Sequence, residues 1–219
     1  METKTLSSAI KKVAISYILI YLHINISVID ILPDWLGYFL IVSVLPILSQ
    51  KEKSAQLLKP FGIAIGVWNI LEWVLKIAGA ELNLSVISLV FSIITIYFHF
   101  QLITNIANLD IEEPKKKRLL NLRTATVILH TVLTFSLFIP TVIDVDNEIY
   151  TYILMIMLIP QLIICFWISG ELFKLSKTLK EKEIESPETT EATEGNEVAE
   201  ESRESDNVDE SVEAESDTE

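Results

Sequence analysis

The sequence predicts an all-α integral membrane protein with about six transmembrane helices, both termini in the cytoplasm and a disordered acidic C-terminal tail. Half of the 219 residues are apolar, and they lie in long uninterrupted blocks rather than at amphipathic spacing. The connections between these blocks alternate between basic and base-free segments. Sixteen of the thirty acidic residues lie in residues 183–219, where Arg203 is the only base, so the rest of the chain carries a net charge of +2.

The apolar blocks define the predicted spans. A spanning helix needs about 20 residues, and four of the blocks are near that length. The first block, residues 13–48, would make a helix of about 54 Å, which is too long for a hydrocarbon core of about 30 Å. It is therefore divided in two. The predicted spans cover residues 13–32, 34–49, 61–80, 84–107, 124–143 and 149–170.

Pro33 marks the division of the first block. A proline disfavours the helical conformation in the residue before it, and Asp34 is a good N-cap for the helix that follows. Together with Asp30, these residues are expected to form a hairpin turn at the membrane interface. The alternation of apolar and polar residues in 24–28 (INISV) also permits a short extended or re-entrant piece.

Basic residues predict the orientation of the chain. They precede the first span, separate spans two and three, separate spans four and five, and follow span six. The other connections contain no base, which places both termini in the cytoplasm and the protein in the cell membrane. The basic residues of these segments are Lys4, Lys11, Lys12, Lys51, Lys53, Lys59, Lys115, Lys116, Lys117, Arg118, Arg123, Lys174, Lys177, Lys180 and Lys182.

Two segments follow the sixth span. Residues 171–182 mix apolar residues with lysines, which predicts a helix lying along an anionic membrane surface, although the helix of span six could simply continue. The transmembrane domain is therefore assigned to residues 1–182. Residues 183–219 are rich in Glu, Ser, Thr and Asp and lack aromatic residues, so they are expected to be a disordered cytoplasmic tail.

Glu72 is the strongest candidate for an intramembrane polar site, because ionisable residues within spans are costly. It lies near the middle of the third span, and Lys76 and Asn69 share its helix face. The favoured interpretation is structural, with Glu72 neutral or paired with Lys76. A transport role is the alternative.

A second set of polar residues could form one layer across three spans. Two histidines without a nearby carboxylate or thiolate rarely hold a metal, so hydrogen bonding between helices is the expected role. No metal and no cofactor is predicted. The members of this polar layer are His99, Gln101, His130 and Gln161.

Signatures of enzymes and of nucleic-acid binding are missing from the sequence. There is no zincin motif, glycine-rich phosphate loop or serine elbow, so the protein is not expected to be an enzyme.

The basic run at residues 115–118 is short and lies between spans, where an interaction with lipid headgroups explains it better than nucleic acid does. Cys165 is the single cysteine, which excludes a disulfide within one chain.

The first hairpin resembles a pattern seen in small uncharacterised multi-pass membrane proteins of low-GC Gram-positive bacteria. The resemblance is limited to the segment INISVIDILPDWLGY. It implies a bacterial source and no particular activity. The residues that carry it are Asn25, Asp30, Pro33, Asp34, Gly37 and Tyr38.

Two functions are compatible with these features. The first is a noncatalytic membrane protein that acts through protein contacts, as an accessory or protective subunit with a membrane protein partner or as a homo-oligomer. The second is a small-solute transporter or a permease component. Only six glycines occur in the chain, which weighs against the transporter, because broken helices and close helix approach usually use more.

Overall fold

The computed structural model describes residues 5–22, 25–26, 29–30, 33–80, 84–138 and 147–185. In this part of the chain, helices account for nearly all of the structure, which confirms the predicted all-α fold class. A short 3-10 helix, Lys53–Leu57, precedes the third α-helix. The elements are α1 (Leu6–Tyr21), β1 (Asn25–Ile26), β2 (Ile29–Asp30), α2 (Asp34–Leu48), α3 (Leu58–Ile77), α4 (Ser85–Ala107), α5 (Glu113–Phe138) and α6 (Asn147–Glu185).

Four helical segments are longer than the first two helices, α1 and α2. Within the described ranges, four helical segments are long and apolar enough to cross a membrane by length and composition: Lys53–Ile77, Ser85–Ala107, Glu113–Phe138 and Met155–Ile184. Helices α1 and α2 have 16 and 15 residues. At 1.5 Å per residue they are only about 24 and 23 Å long. The chain therefore has the helices of a membrane protein, and the arrangement with six spans stays a prediction.

The first hairpin differs from the expected helix over residues 13–32. Helix α1 begins earlier, after Thr5, whose side chain accepts a hydrogen bond from the backbone N–H of Ser8, and it ends at Tyr21. The following β-branched residues favour extended backbone, and β1 pairs with β2 in antiparallel register, Asn25 opposite Asp30. Pro33 is the N-cap of α2 and Asp34 its first helical residue, so the N-cap lies one position earlier than expected.

Helices α5 and α6 are longer than the predicted spans. Helix α5 begins at Glu113 rather than near residue 124, because the basic segment before the apolar block consists of good helix formers. Helix α6 continues without a break past Gly170 to Glu185, which is the alternative in which the helix of span six simply continues, rather than a separate helix at 171–182. The expected tail thus starts inside this helix, and its residues 186–219 lie outside the described part of the chain.

Buried apolar side chains gather at one end of residues 5–177, here called the packed end. It comprises the starts of α1, α3 and α5 and the ends of α2 and α4. The opposite end, here called the cavity end, has exposed apolar side chains and the cavities described below. Residues 178–185, the last turns of α6, lie outside this unit of residues 5–177. Buried side chains of the packed end include Ile10, Leu48, Ala55, Leu58, Ile106, Leu119 and Leu172.

Polar side chains join α6 to α1 along the packed end. Ser176 and Ser7 donate hydrogen bonds to each other's backbone carbonyls, at 2.9 and 2.8 Å. One turn after Cys165, whose thiol contacts the carbonyl of Tyr17, the hydroxyl of Ser169 donates to the carbonyl of Ala14 over 3.0 Å. Small polar residues of this kind let helices approach closely in an apolar surrounding.

Candidate functional site

A cavity of about 590 Å³ at the cavity end is lined by residues from all six helices. We call it the central cavity. Its volume lies within the range of small-molecule sites, which is about 300–1,000 Å³. Its polar and aromatic lining residues are Tyr21 of α1, Asp34 and Tyr38 of α2, Trp68, Asn69 and Glu72 of α3, Ser88, Phe91, Ser92 and Thr95 of α4, His130 of α5 and Gln161 of α6.

Two further cavities adjoin the central cavity at Glu72. A cavity of about 690 Å³ between α3, α4 and α5 shares Glu72, Ser88 and Ser92 with it. A smaller one of about 180 Å³ shares Asp34, Asn69 and Glu72. Glu72 is thus part of the wall of all three. The candidate residue singled out from the sequence therefore lies where these three cavities meet.

The carboxylate of Glu72 is held by the neighbouring helix rather than by its own. Its Oε1 accepts a hydrogen bond of 2.7 Å from the hydroxyl of Ser88 on α4. Among the described residues, no ion pair joins Glu72 to Lys76, which is exposed one turn later on α3. Asn69 donates its amide N–H to the carbonyl of Ile65, one turn earlier in α3. The expected partner of Glu72 is therefore corrected from Lys76 to Ser88.

His99 is buried between two tyrosines. Its Nδ1 lies 3.1 Å from the hydroxyl of Tyr17 on α1, and its Nε2 lies 3.2 Å from the hydroxyl of Tyr38 on α2. With both ring nitrogens hydrogen-bonded, His99 has no nitrogen left for a metal. His99 therefore links α1, α2 and α4 through hydrogen bonds, which is the role that the sequence analysis expected for the polar residues of these spans.

The other members of the predicted polar layer separate into two places. His130 and Gln161 line the central cavity, and the ring of His130 lies edge-on to Tyr21, with 6.4 Å between ring centroids. Gln161 is only 5% exposed, and its Oε1 makes no hydrogen bond. Gln101 instead lies nearer the packed end, where its Nε2 is 2.8 Å from the side-chain amide of Asn105. The four residues do not form a single layer.

The hairpin residues are predicted to form a turn, and one of them also belongs to the cavity. Asp30 pairs with Asn25 through the backbone of the two short strands. Pro33 and Asp34 begin α2, and Asp34 lines both the central cavity and the smallest one.

Sequence reasoning missed the serines of α4. Ser85, Ser88 and Ser92 lie at helical spacing on one face of an otherwise apolar span, and all three line the cavity between α3, α4 and α5. That spacing was the available signal. The aromatic wall was also missed: the rings of Trp68 and Phe91 stack at 4.6 Å with an angle of 3° between their planes. Stacking between rings of two different helices leaves no pattern in the sequence of either helix.

Charged groups at the packed end form a separate cluster with a structural role. The buried carboxylate of Glu171 on α6 contacts Arg118 of α5 at 3.2 Å and Lys174, one turn later, at 3.0 Å. Arg123 lies over the ring of Phe100 and donates to the hydroxyl of Thr104 on α4 at 2.9 Å. These contacts join α4, α5 and α6 close to the basic connections.

The arrangement offers carboxylates, hydroxyls, an amide oxygen and aromatic rings around a space large enough for a small molecule. In the described part of the chain, no group of three or more His, Cys, Asp or Glu side chains is placed to hold a metal ion. No family model, curated protein or solved structure matches this chain. The fold and cavity therefore define it as an all-α protein whose helices are compatible with a membrane and whose six helices surround one cavity.

Proposed function

We propose that this chain is a multi-pass membrane protein that binds a small solute in the central cavity, as a transporter or a permease component. One observation carries the proposal, namely that residues from every one of the six helices line this cavity. A site between helices is where membrane transporters hold their substrates, near the point at which the helices converge. The second of the two functions expected from the sequence is thereby preferred to the first.

The uneven packing of the helices supports this choice. Side chains at the packed end fill the space between helices, for example Ile10, Leu102 and Leu172, which are fully buried. At the cavity end, polar residues that are costly in a membrane line cavities instead. A protein that acted only through its outer surface would have no need to maintain such a space.

The proposal includes the cell membrane of a low-GC Gram-positive bacterium as its location, in keeping with the resemblance of the first hairpin.

A screen for thermal stabilisation tests the proposal and does not require the solute to be identified beforehand. The full-length protein is purified in mild detergent and melted in the presence of anions, cations, zwitterions and uncharged polar molecules. A ligand at 100 times its dissociation constant stabilises the folded state by about 2.7 kcal/mol, which a melting curve detects. Stabilisation by any of these compounds should be lost in Ser92→Trp, which fills the wall shared by two cavities, and kept in Ser43→Trp, which is exposed on α2. A library that stabilises nothing contradicts the proposal.

An accessory subunit that acts through protein contacts is the second candidate, and the outer surface of α6 favours it. The first half of α6 presents a row of exposed large apolar side chains that either lipid or a partner helix can cover: Met155, Ile156, Ile159, Ile163, Phe166 and Trp167. Affinity purification from native membranes distinguishes the two functions. A stoichiometric partner that is lost when Ile159 and Ile163 are replaced by alanine would favour the accessory subunit.

A further inference from the structure

We propose that the solute of the central cavity is a small organic cation, a protonated amine whose charge is balanced by Glu72. This inference rests on the proposed function and names the chemical class of its ligand. It follows from the formal charges, the hydrogen-bonding capacity and the aromatic surface of the cavity wall.

The formal charges of the cavity wall have one sign. Asp34 and Glu72 line it, and neither lysine nor arginine is among its lining residues. Lys76 lines the two neighbouring cavities but not this one. The carboxylate of Glu72, beside a cavity that no lysine or arginine lines, favours a cation, because opposite charges attract more strongly away from bulk water.

The hydrogen bond to Ser88 does not satisfy Glu72. An ionised carboxylate offers about four acceptor positions, and the hydroxyl of Ser88 occupies one of them without bringing any positive charge. A protonated amine would supply the two features that Ser88 does not, namely a positive charge and additional N–H donors.

Gln161 gives an independent indication of a donor. The residue is 95% buried, its Oε1 makes no hydrogen bond, and it lines the central cavity from α6. A buried acceptor without a donor is destabilising, and it is rare in native proteins unless something else supplies the donor. N–H groups of a ligand in this cavity would supply donors to the acceptors of Gln161 and Glu72.

The remaining wall suits the organic part of such a molecule. The stacked rings of Trp68 and Phe91 and the rings of Tyr21 and Tyr38 border the cavity. Aromatic faces attract ammonium groups and pack against their hydrocarbon substituents. A bare metal ion fits less well, because the described residues contain no cluster of ligands for one.

Three compounds that share one frame test the proposal directly: phenylethylammonium, 2-phenylethanol and phenylacetate, which are positive, neutral and negative. Their binding to the full-length protein in detergent is measured by isothermal titration calorimetry, and an aliphatic series of butylammonium, butanol and butyrate is measured beside it. We expect at least one of the two ammonium ions to bind, and to bind about tenfold more tightly than its alcohol. Binding of neither ammonium ion, or equal binding of alcohol and ammonium ion, overturns the proposal.

Variants of Glu72 identify the counter-charge. Glu72→Gln keeps the shape and an acceptor for Ser88 but removes the charge, so the dissociation constant of the ammonium ion should rise about tenfold or more. Glu72→Asp should retain part of the affinity. Asp110→Asn, which removes one negative charge from an exposed position between α4 and α5, is the matched control and should change nothing. Equal affinities of Glu72→Gln and Asp110→Asn would contradict the assignment.

Gln161→Met separates ligand binding from folding. It removes the unsatisfied oxygen while preserving the length of the side chain, so the ligand-free protein should melt at the same or a higher temperature. The affinity for the ammonium ion should nevertheless fall. A lower melting temperature without loss of affinity would mean that Gln161 has only a structural role.

If anions or uncharged solutes stabilise the protein in the screen and ammonium ions do not, the proposed solute site stands and its assignment to a cation is wrong.

Discussion

The hydroxyl of Ser88 donates a hydrogen bond of 2.7 Å to Oε1 of Glu72, which joins α4 to α3 at the wall between the cavities. A hydroxyl is a neutral donor, so this contact holds the carboxylate in place without neutralising it. The position of the Glu72 carboxylate is therefore fixed by a contact between two helices, and this contact supplies no positive charge.

The first prediction compares the two possible partners of Glu72. Ser88→Ala removes the donor of a hydrogen bond to a charged group and should lower the free energy of unfolding by about 1.5–3 kcal/mol. Lys76→Met removes an exposed charge that pairs with no described residue, and its effect should stay within about 0.5 kcal/mol. Denaturation of both variants in the same detergent gives the comparison. A larger loss for Lys76→Met would restore the pair expected from the sequence.

The sequence predicted that Glu72 is exceptional but not what it contacts. A spacing of four residues places Lys76 on the same face of α3 as Glu72. The spacing within one helix can indicate only partners that lie in that helix. Ser88 comes from another helix, and its contact depends on how α3 and α4 pack. The long lysine side chain can reach water at the membrane surface, which competes with an ion pair inside the bundle.

The second prediction concerns the hydrogen bonds of His99 with Tyr17 and Tyr38. His99→Phe preserves an aromatic ring but leaves two buried hydroxyls without their shared partner, at a cost of about 1–3 kcal/mol for each. Tyr97→Phe, which removes a half-exposed hydroxyl two residues earlier in α4, is the control and should be nearly neutral. Melting temperatures in detergent measure both effects. Equal stability of the two variants would show that the link between α1, α4 and α2 contributes little.

Polar residues within apolar spans can be identified from the sequence, whereas their grouping cannot. Depth along each helix can be counted along the chain, but the rotation of each helix about its axis cannot. That rotation directs His130 and Gln161 to the central cavity. The contact of Gln101 with Asn105 lies within α4 at a spacing of four residues, so the sequence did contain a signal for it. The tyrosines that bind His99 lie in α1 and α2, and no local pattern in those helices indicates hydrogen-bond partners for a residue of α4.

The third prediction concerns the close approach of α1 and α2 at Gly37. A Cβ atom at this position would lie 2.5 Å from Cγ1 of Ile20 and 2.9 Å from the backbone carbonyl of Ser16. The backbone cannot yield as a side chain can, so Gly37→Ala should force the helices apart and cost about 1–3 kcal/mol.

Gly170→Ala is the matched control for the glycine prediction. This residue lies inside α6, and no atom is within 4 Å of the position that its Cβ would occupy. Alanine is a better helix former than glycine by about 0.5–1 kcal/mol, so this variant should be more stable than the original protein. Melting curves of both variants decide the matter, and a destabilised Gly170→Ala together with a neutral Gly37→Ala would contradict the packing of α1 on α2.

The ends of the helices were less predictable than their existence. Apolar blocks locate the buried or lipid-facing parts of a helix, but a helix continues wherever its residues favour it and nothing stops it. The charged residues at the start of α5 and after Gly170 in α6 favour helix, and they lie outside the apolar blocks. Conversely, residues 22–30 belong to the first apolar block but are rich in β-branched side chains, so α1 ends sooner than expected.

The last prediction is the orientation of the chain, and contacts between helices strengthen its basis. Ser7 contacts Ser176, Arg118 contacts Glu171, and Arg123 contacts Thr104. Ser54 lies 2.9 Å from the side-chain amide of Asn105. The segments that carry the lysines and arginines therefore share the packed end, as required if all of them remain on one side of a membrane.

Fusions to alkaline phosphatase, which becomes active only after export, test this orientation. Fusions near Asn83 and near Asp146 should be active, because their connections contain no base. Fusions near Lys53 and near Lys117 should be inactive, because positively charged segments are retained in the cytoplasm. Equal expression of the four fusion proteins must be shown by immunoblotting. An active fusion at Lys53 or Lys117, or an inactive one at Asn83 or Asp146, would refute the arrangement with both termini inside.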